Sequence, residues 1–177
     1  MRRKWLIPLL TCLVGTGCGA LDKFDVTLTD SASIPGSFMG MVFQPQYAGS
    51  YGQLNLSGDQ TFKNNNVKPS DVDSIFVKSI ELEDSQPMLN NLSNVVDSVS
   101  FYVSAPGMEK KLIGSGMAFQ PGATATLTVD STLPIKPYAV SPSMSISADI
   151  KLKKSPALNF SIKSTITLHV DINLLGT

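Results

Sequence analysis

The stretch FSIKSTITLHVDINL, residues 160–174, decides the fold class. Its even-numbered positions are apolar except for Ser164, and polar or charged residues stand between them. This alternation predicts a β-strand with one buried face, because successive side chains of a strand point to opposite sides of the sheet. The stretch would span about 50 Å, which is long for a compact domain. We therefore expect one long strand with a bend or bulge near Ser164.

The same period-two pattern recurs along the chain. Residues 144–152 alternate in the same way, and the turn KSPALN separates them from the last strand, which predicts an antiparallel hairpin. In the segment 73–84 the apolar positions change from odd to even, which predicts a β-bulge near Lys78. Shorter alternating segments predict further strands near 24–28, 54–56, 99–103 and 123–129.

These segments together predict an all-β fold. The strands are separated by turn dipeptides such as Pro106-Gly107 and Pro121-Gly122, which favours a single antiparallel β-sandwich, with an open β-barrel as the alternative. We expect one or two short helical turns, near 69–73 and 87–96. The order of strands and turns in residues 99–130 resembles the middle of an immunoglobulin or fibronectin-III domain. That resemblance implies an immunoglobulin-like sandwich of the kind that has no disulfide.

The N-terminus has the order of a secretory signal peptide. Basic residues at 2–4 precede an apolar run at 5–14 and small residues at 15–17. The apolar run is too short to cross a bilayer. The small residues before Cys18 resemble the bacterial lipobox, in which the cysteine is lipidated and becomes the first residue of the mature protein. On residues alone, an ordinary signal peptide that leaves Cys18 as a free thiol is the alternative.

The lipobox resemblance implies a location as well as a modification. It implies that the signal peptide ends at residue 17, that Cys12 is removed with it, and that Cys18 carries the acyl chains. It also implies, with Gly19 after the cysteine, an outer-membrane lipoprotein of the cell envelope that faces either the periplasm or the exterior. Residues 18–177 have the length of a single domain.

Charge and cysteine content narrow the function classes. The chain has 14 basic and 14 acidic residues, and three of the basic ones lie in the signal peptide, so the mature part is mildly acidic. Such a balance argues against a nucleic-acid partner, since phosphates require a basic surface. With at most one cysteine after processing, the mature chain forms no internal disulfide.

The sequence offers little material for catalysis or metal binding. His169, the only histidine, is placed on the polar face of the last strand, and no G-x-S-x-G motif accompanies it. Glu81 and Glu83 share a polar strand face, which a solvated edge explains more simply than a glycosidase pair. The Asp- and Asn-rich segment 59–73 could bind calcium, but it lacks the EF-hand order. We therefore predict no enzyme activity, no cofactor and no metal.

One segment is unusual enough to be a candidate contact site. Residues 34–52 combine glycine and proline with large apolar side chains, so we predict either an adaptable apolar contact loop or a loop that closes one end of the core. Our first hypothesis is a non-enzymatic binding or structural lipoprotein whose partners are the membrane and an envelope protein. The second is a carrier or sensor of a small apolar ligand. The candidate loop residues are Phe38, Met39, Met41, Phe43 and Tyr47.

Overall fold

Two antiparallel sheets make up the fold in the computed structural model. The structure describes residues 23–36, 46–54, 60–64, 66–84, 91–141, 143–154, 156 and 158–173. Within these ranges lie nine strands: β1 (Lys23–Ile34), β2 (Gln46–Leu54), β3 (Val72–Asp84), β4 (Val96–Ser104), β5 (Lys111–Met117), β6 (Thr124–Thr126), β7 (Thr128–Val129), β8 (Met144–Leu152) and β9 (Phe160–Ile172). The first sheet has the order β1-β9-β3-β6, and the second has the order β2-β8-β4-β5-β7.

The long C-terminal strand is the centre of the first sheet. β9 is continuous from Phe160 to Ile172, and its even-numbered side chains are all buried, as the alternation predicts. A bulge at Ser164, one of the two expected forms of irregularity, is absent, because the register of β9 with β1 runs through that residue without a shift. The irregularities lie in β3 instead. One of them falls between Val77 and Ser79, which confirms the bulge predicted at Lys78.

The strand order identifies the type of sandwich. The β-sandwich prediction is confirmed, since the strands divide into two sheets rather than closing as the open barrel that was the alternative. In an immunoglobulin sandwich the first strand neighbours the second. Here β1 pairs with β9, β2 with β8, and β3 with β6, which is the jelly-roll order. Local turn signals separate strands in both topologies, so they did not distinguish between them.

The core lies between the two sheets and is made almost entirely of aliphatic and phenylalanine side chains. Phe101 from the second sheet and Phe160 from the first are fully buried. Asp84 and Ser164 are the buried polar residues of the described chain, and both belong to the first sheet. Each buried aliphatic or aromatic side chain contributes about 1.5–3 kcal/mol to the stability of the fold.

Short helical segments connect the strands. The two predicted turns are confirmed as a 3₁₀ turn at Pro69–Asp71 and as α2 (Leu92–Val95). The sequence did not indicate α1 (Gln60–Asn64) or α3 (Lys136–Ala139). Pro137 occupies the first turn of α3, where its missing N–H costs nothing. Among the described residues, none of the helices could span a bilayer.

The two ends of the sandwich carry different connections. The end where β1 begins (the Lys23 end) carries the β2–β3, β4–β5 and β7–β8 connections. The end where β1 stops (the Ile34 end) carries the β1–β2, β3–β4, β5–β6 and β8–β9 connections. At the Lys23 end, the rings of Phe24 and Phe62 meet edge to face at 5.2 Å. At the Ile34 end, Gly36 donates its N–H to Asn159 at 3.0 Å. A twelve-residue strand separates the two ends by about 40 Å.

Candidate functional site

Most of the predicted site residues lie outside the described part of the chain. They are the lipid-attachment residue Cys18 and four residues of the candidate contact loop, namely Phe38, Met39, Met41 and Phe43. Tyr47, the fifth loop residue, lies in β2, where its backbone is opposite Ile150 of β8. The prediction of a loop over 34–52 is therefore wrong for its second half. The pairing of β2 with β8 overrides the low strand propensity of its glycines.

The structure reveals a groove at the Ile34 end that the sequence did not indicate. Its volume is about 700 Å³, which is within the range of small-ligand sites. We call it the hydroxyl groove, because six of its lining residues are serines or threonines from four strands. These residues are Ser98, Ser100, Ser115, Thr124, Thr126 and Thr128.

The groove exists because the chain changes sheets beside β5. Residues 124–126 pair with β3 in the first sheet, whereas residues 128–129 pair with β5 in the second. Leu127 lies between them and donates its N–H to the carbonyl of Ile80 at 2.9 Å. β7 faces β5 only at Gly114 and Ser115, so within the described residues no strand pairs with that edge of β5 at Gly116 and Met117.

Glycine and a left-handed residue shape the floor of the groove. A Cβ on Gly116 would lie 2.5 Å from Cδ2 of Leu127 and 3.2 Å from Cε1 of Phe119, so the glycine allows both side chains to pack against β5. Ala118 has a φ of 50°, which is uncommon for a residue with a Cβ and turns the chain out of β5. Met117 lies at the edge of the groove and is 76% exposed.

The lining suits an uncharged polar ligand. The described lining residues include no acidic or basic side chain, so the groove offers hydrogen-bond donors and acceptors without a fixed charge. Two sequence features coincide with it, the threonines at 124, 126 and 128 and the GSG at 114–116. Neither pointed to a site, since the threonines predicted one strand rather than two short strands in different sheets.

A second polar cluster surrounds His169 on the outer face of the first sheet. Nδ1 of His169 lies 2.8 Å from Asp25 Oδ1, and Nε2 lies 3.4 Å from Asp171 Oδ1. Lys78 also pairs with Asp25, and hydrogen bonds from Lys78 and His169 hold the pKa of this carboxyl below its usual value. Ser74 donates its hydroxyl proton to Asp171 at 2.6 Å. The cluster links β1, β9 and β3, and its serine contacts a carboxylate rather than the imidazole that would activate it.

The carboxylates of β3 point to opposite faces. Glu81 and Glu83 are both exposed on the outer face, as predicted, and Glu83 pairs with Lys163 at 2.8 Å. Asp84 is buried on the inner face, and its N–H donates to Ala123 at 2.8 Å. Glu81 and Asp84 therefore do not face one another across a common site.

The Asp- and Asn-rich segment supports a turn. Asp71 accepts hydrogen bonds from the N–H of Lys68 at 2.9 Å and from the hydroxyl of Ser70 at 3.1 Å, and these bonds lower its pKa. The backbone of Asn66 has a φ of 54°, a conformation that asparagine tolerates. In the part of the chain that the structure describes, no three His, Cys, Asp or Glu side chains are grouped to hold a metal. Asp59 and Asn65 lie outside that part.

Comparisons with known proteins add little to this description. No family model and no curated protein matches the sequence. Among solved structures, the decameric BFDV capsid protein is 10% identical, with a TM-score of 0.42 over 85% of this chain and 98% of that one. A desmodium yellow mottle tymovirus chain is 12% identical, with a TM-score of 0.27 over 99% of this chain and 98% of that one. The strand order of the two sheets defines the fold.

Proposed function

We propose that the protein is a lipid-anchored lipoprotein of the outer membrane that binds an envelope protein and has no enzymatic role. The observation that carries this proposal is the placement of the two ends. β1 begins at Lys23, five positions after Cys18 in the sequence, and ends at Ile34, about 40 Å from Lys23. An anchor at Cys18 holds the Lys23 end at the membrane and presents the hydroxyl groove on the opposite side.

The groove favours an extended polypeptide segment as the ligand. The edge of β5 at Gly116 and Met117 has no paired strand among the described residues. An extended segment can add to such an edge through backbone hydrogen bonds, while neighbouring side chains select its sequence. The serines and threonines of the groove supply further hydrogen bonds, and Met117 supplies an adaptable apolar contact.

The anchor is tested by intact mass after expression in a Gram-negative host. We expect the wild type in the membrane fraction with the mass of residues 18–177 plus acyl chains, and we expect Cys18→Ala to be unprocessed or released. Cys12→Ala is the matched control, because this cysteine belongs to the signal peptide and its loss leaves processing unchanged. A soluble wild type without acyl chains contradicts the proposed anchor.

The groove is tested by a photo-crosslinking amino acid placed at Met117 and, as a control, at Leu158. Both side chains are exposed at the Ile34 end, but Leu158 does not line the groove. We expect a discrete protein adduct in the envelope from position 117 and none from position 158. Adducts of equal yield from both positions, or from neither, refute the groove as the binding surface.

A further inference from the structure

The Lys23 end has an apolar rim that the packing of the fold does not explain. Met108 in the β4–β5 turn, Leu112 at the start of β5 and Val140 after α3 are 37–48% exposed. α3 lies against the β4–β5 turn, since the hydroxyl of Tyr138 donates to the carbonyl of Glu109 at 2.7 Å. We call Met108, Leu112 and Val140 the apolar rim.

Lysines accompany the apolar rim. Lys110 and Lys111 lie between Met108 and Leu112, and Lys136 begins α3. Glu109, directly before Lys110, is the acidic residue nearest to these two lysines in the sequence. Lys110 also lies 3.6 Å from Asp149 and 4.1 Å above the ring of Tyr102, on the outer face of the second sheet. Elsewhere the same end carries acidic residues, among them Asp71, Asp73 and Asp130. The basic charge is therefore concentrated near the apolar rim and is not a property of the whole end.

The chain outside the structure is short enough to bring this end to a membrane. Four residues, 19–22, lie between Cys18 and the start of β1, so the five steps from Cys18 to Lys23 span at most about 17 Å when extended. Two packed sheets are about 10 Å apart, and neighbouring strands are about 4.8 Å apart. A tether comparable to the width of the sandwich allows the whole Lys23 end to reach the surface that holds the acyl chains.

We propose that the Lys23 end docks on the phospholipid surface, with the apolar rim in the headgroup layer and the neighbouring lysines at the lipid phosphates. Apolar side chains next to basic ones are the combination that binds an interfacial layer. Docking fixes the orientation of the domain, because the rim and the N-terminal tether then hold two separate points of the same end. This inference rests on the proposed lipidation of Cys18.

The test uses the full-length lipidated protein in vesicles of phosphatidylethanolamine and phosphatidylglycerol. Once Cys18 is acylated, the mature chain has no other cysteine, so single substitutions accept an environment-sensitive fluorophore at chosen positions. Met108→Cys and Val140→Cys report on the rim. Met117→Cys and Leu158→Cys are the controls, because both residues are also apolar and exposed but lie at the Ile34 end.

We compare each labelled protein in vesicles with the same protein in detergent. Docking predicts that the vesicles shift the emission to the blue and slow quenching by a water-soluble quencher severalfold at positions 108 and 140. At positions 117 and 158 we expect no change. Equal spectra at all four positions in vesicle-bound protein overturn the docking proposal and leave the anchor intact. A failure of the proposed anchor is seen separately, since the unlabelled wild type then fails to float with the vesicles. Circular dichroism of each variant verifies that the exposed substitutions leave the fold unchanged.

Discussion

Replacing Gly114 by alanine tests how closely the two sheets approach each other. Gly114 lies in β5 of the second sheet, opposite Val129 of β7. A Cβ at this position would lie 2.7 Å from Cδ1 of Ile80, 3.1 Å from Cγ1 of Val129 and 3.2 Å from the carbonyl oxygen of Thr128. Ile80 belongs to β3 of the first sheet and is fully buried, so the two sheets approach each other closely at this glycine.

The expected cost follows from two opposing terms. Overpacking a core position costs about 1–3 kcal/mol. Alanine recovers part of this, because glycine inside a strand is less favourable by roughly 0.5–1 kcal/mol. The Thr128 oxygen belongs to the backbone and cannot rotate away, so we expect the steric term to win. The net loss in the free energy of unfolding is then about 1–2 kcal/mol.

Urea denaturation of purified protein measures this loss. Gly122→Ala is the control, since the nearest atom to its Cβ would be a carbonyl oxygen at 3.8 Å, and we expect no loss of stability there. Ile80→Val removes the atom nearest to the new methyl group. We therefore expect Gly114→Ala to cost clearly less in the Ile80→Val background than in the wild type. Equal stability of Gly114→Ala and the wild type, or strictly additive effects in the double variant, refutes the close contact.

Three further predictions concern a hydrogen bond and two charged side chains. Tyr138→Phe removes the hydrogen bond to the β4–β5 turn and should lower the free energy of unfolding by about 1 kcal/mol in urea denaturation; an unchanged midpoint contradicts this. Asp25→Asn removes the exposed ion pairs with Lys78 and His169 and should cost less than about 1 kcal/mol at neutral pH. Because the native pKa of Asp25 lies below its usual 3.8, the stability that it adds is complete above that pH and is lost as the pH falls through the native pKa. The difference between wild type and variant, measured by thermal unfolding, should therefore vanish in acid, and a constant difference contradicts the assignment. Asp30→Val removes a charge from the edge of the first sheet and should produce concentration-dependent association in sedimentation velocity, whereas a variant that stays monomeric refutes that role.

The sequence predicted the strands whose side chains alternate between a dry and a wet face. In β8 every second residue is apolar, and in β9 every second residue except Ser164, because one face packs on the core and the other meets solvent. The bulge in β3 was predictable for the same reason, since a shift in the buried phase requires an extra residue near Lys78. Burial of one face of a strand is therefore visible in the sequence as apolar residues at alternate positions.

The sequence pattern does not show which distant segments pair with each other. The pairing of β1 with β9 joins residues more than a hundred positions apart, so the jelly-roll order could not be read from turns and alternation. β2 has glycines where strands usually have branched residues, and it is a strand because its backbone pairs with β8. The hydroxyl groove depends on the change of sheet at Leu127, which places threonines of one continuous pattern in two sheets. Its residues are ordinary strand residues, and only their placement makes a groove.

The strand that connects the domain to its proposed anchor is also an edge strand, and this combination has a cost. β1 presents twelve residues of backbone along one edge of the first sheet, in unbroken register with β9. Edges of this kind pair with other copies unless a charge or a bulge prevents it. Asp30 occupies a position in β1 that the alternation assigns to the inner face, yet it is exposed, whereas Val26 and Ile34 of the same face are buried. Proteins held in one membrane plane meet edge to edge far more often than proteins in solution. A charge on the inner side of β1 that prevents pairing between copies is therefore more important for an anchored domain than for a free one.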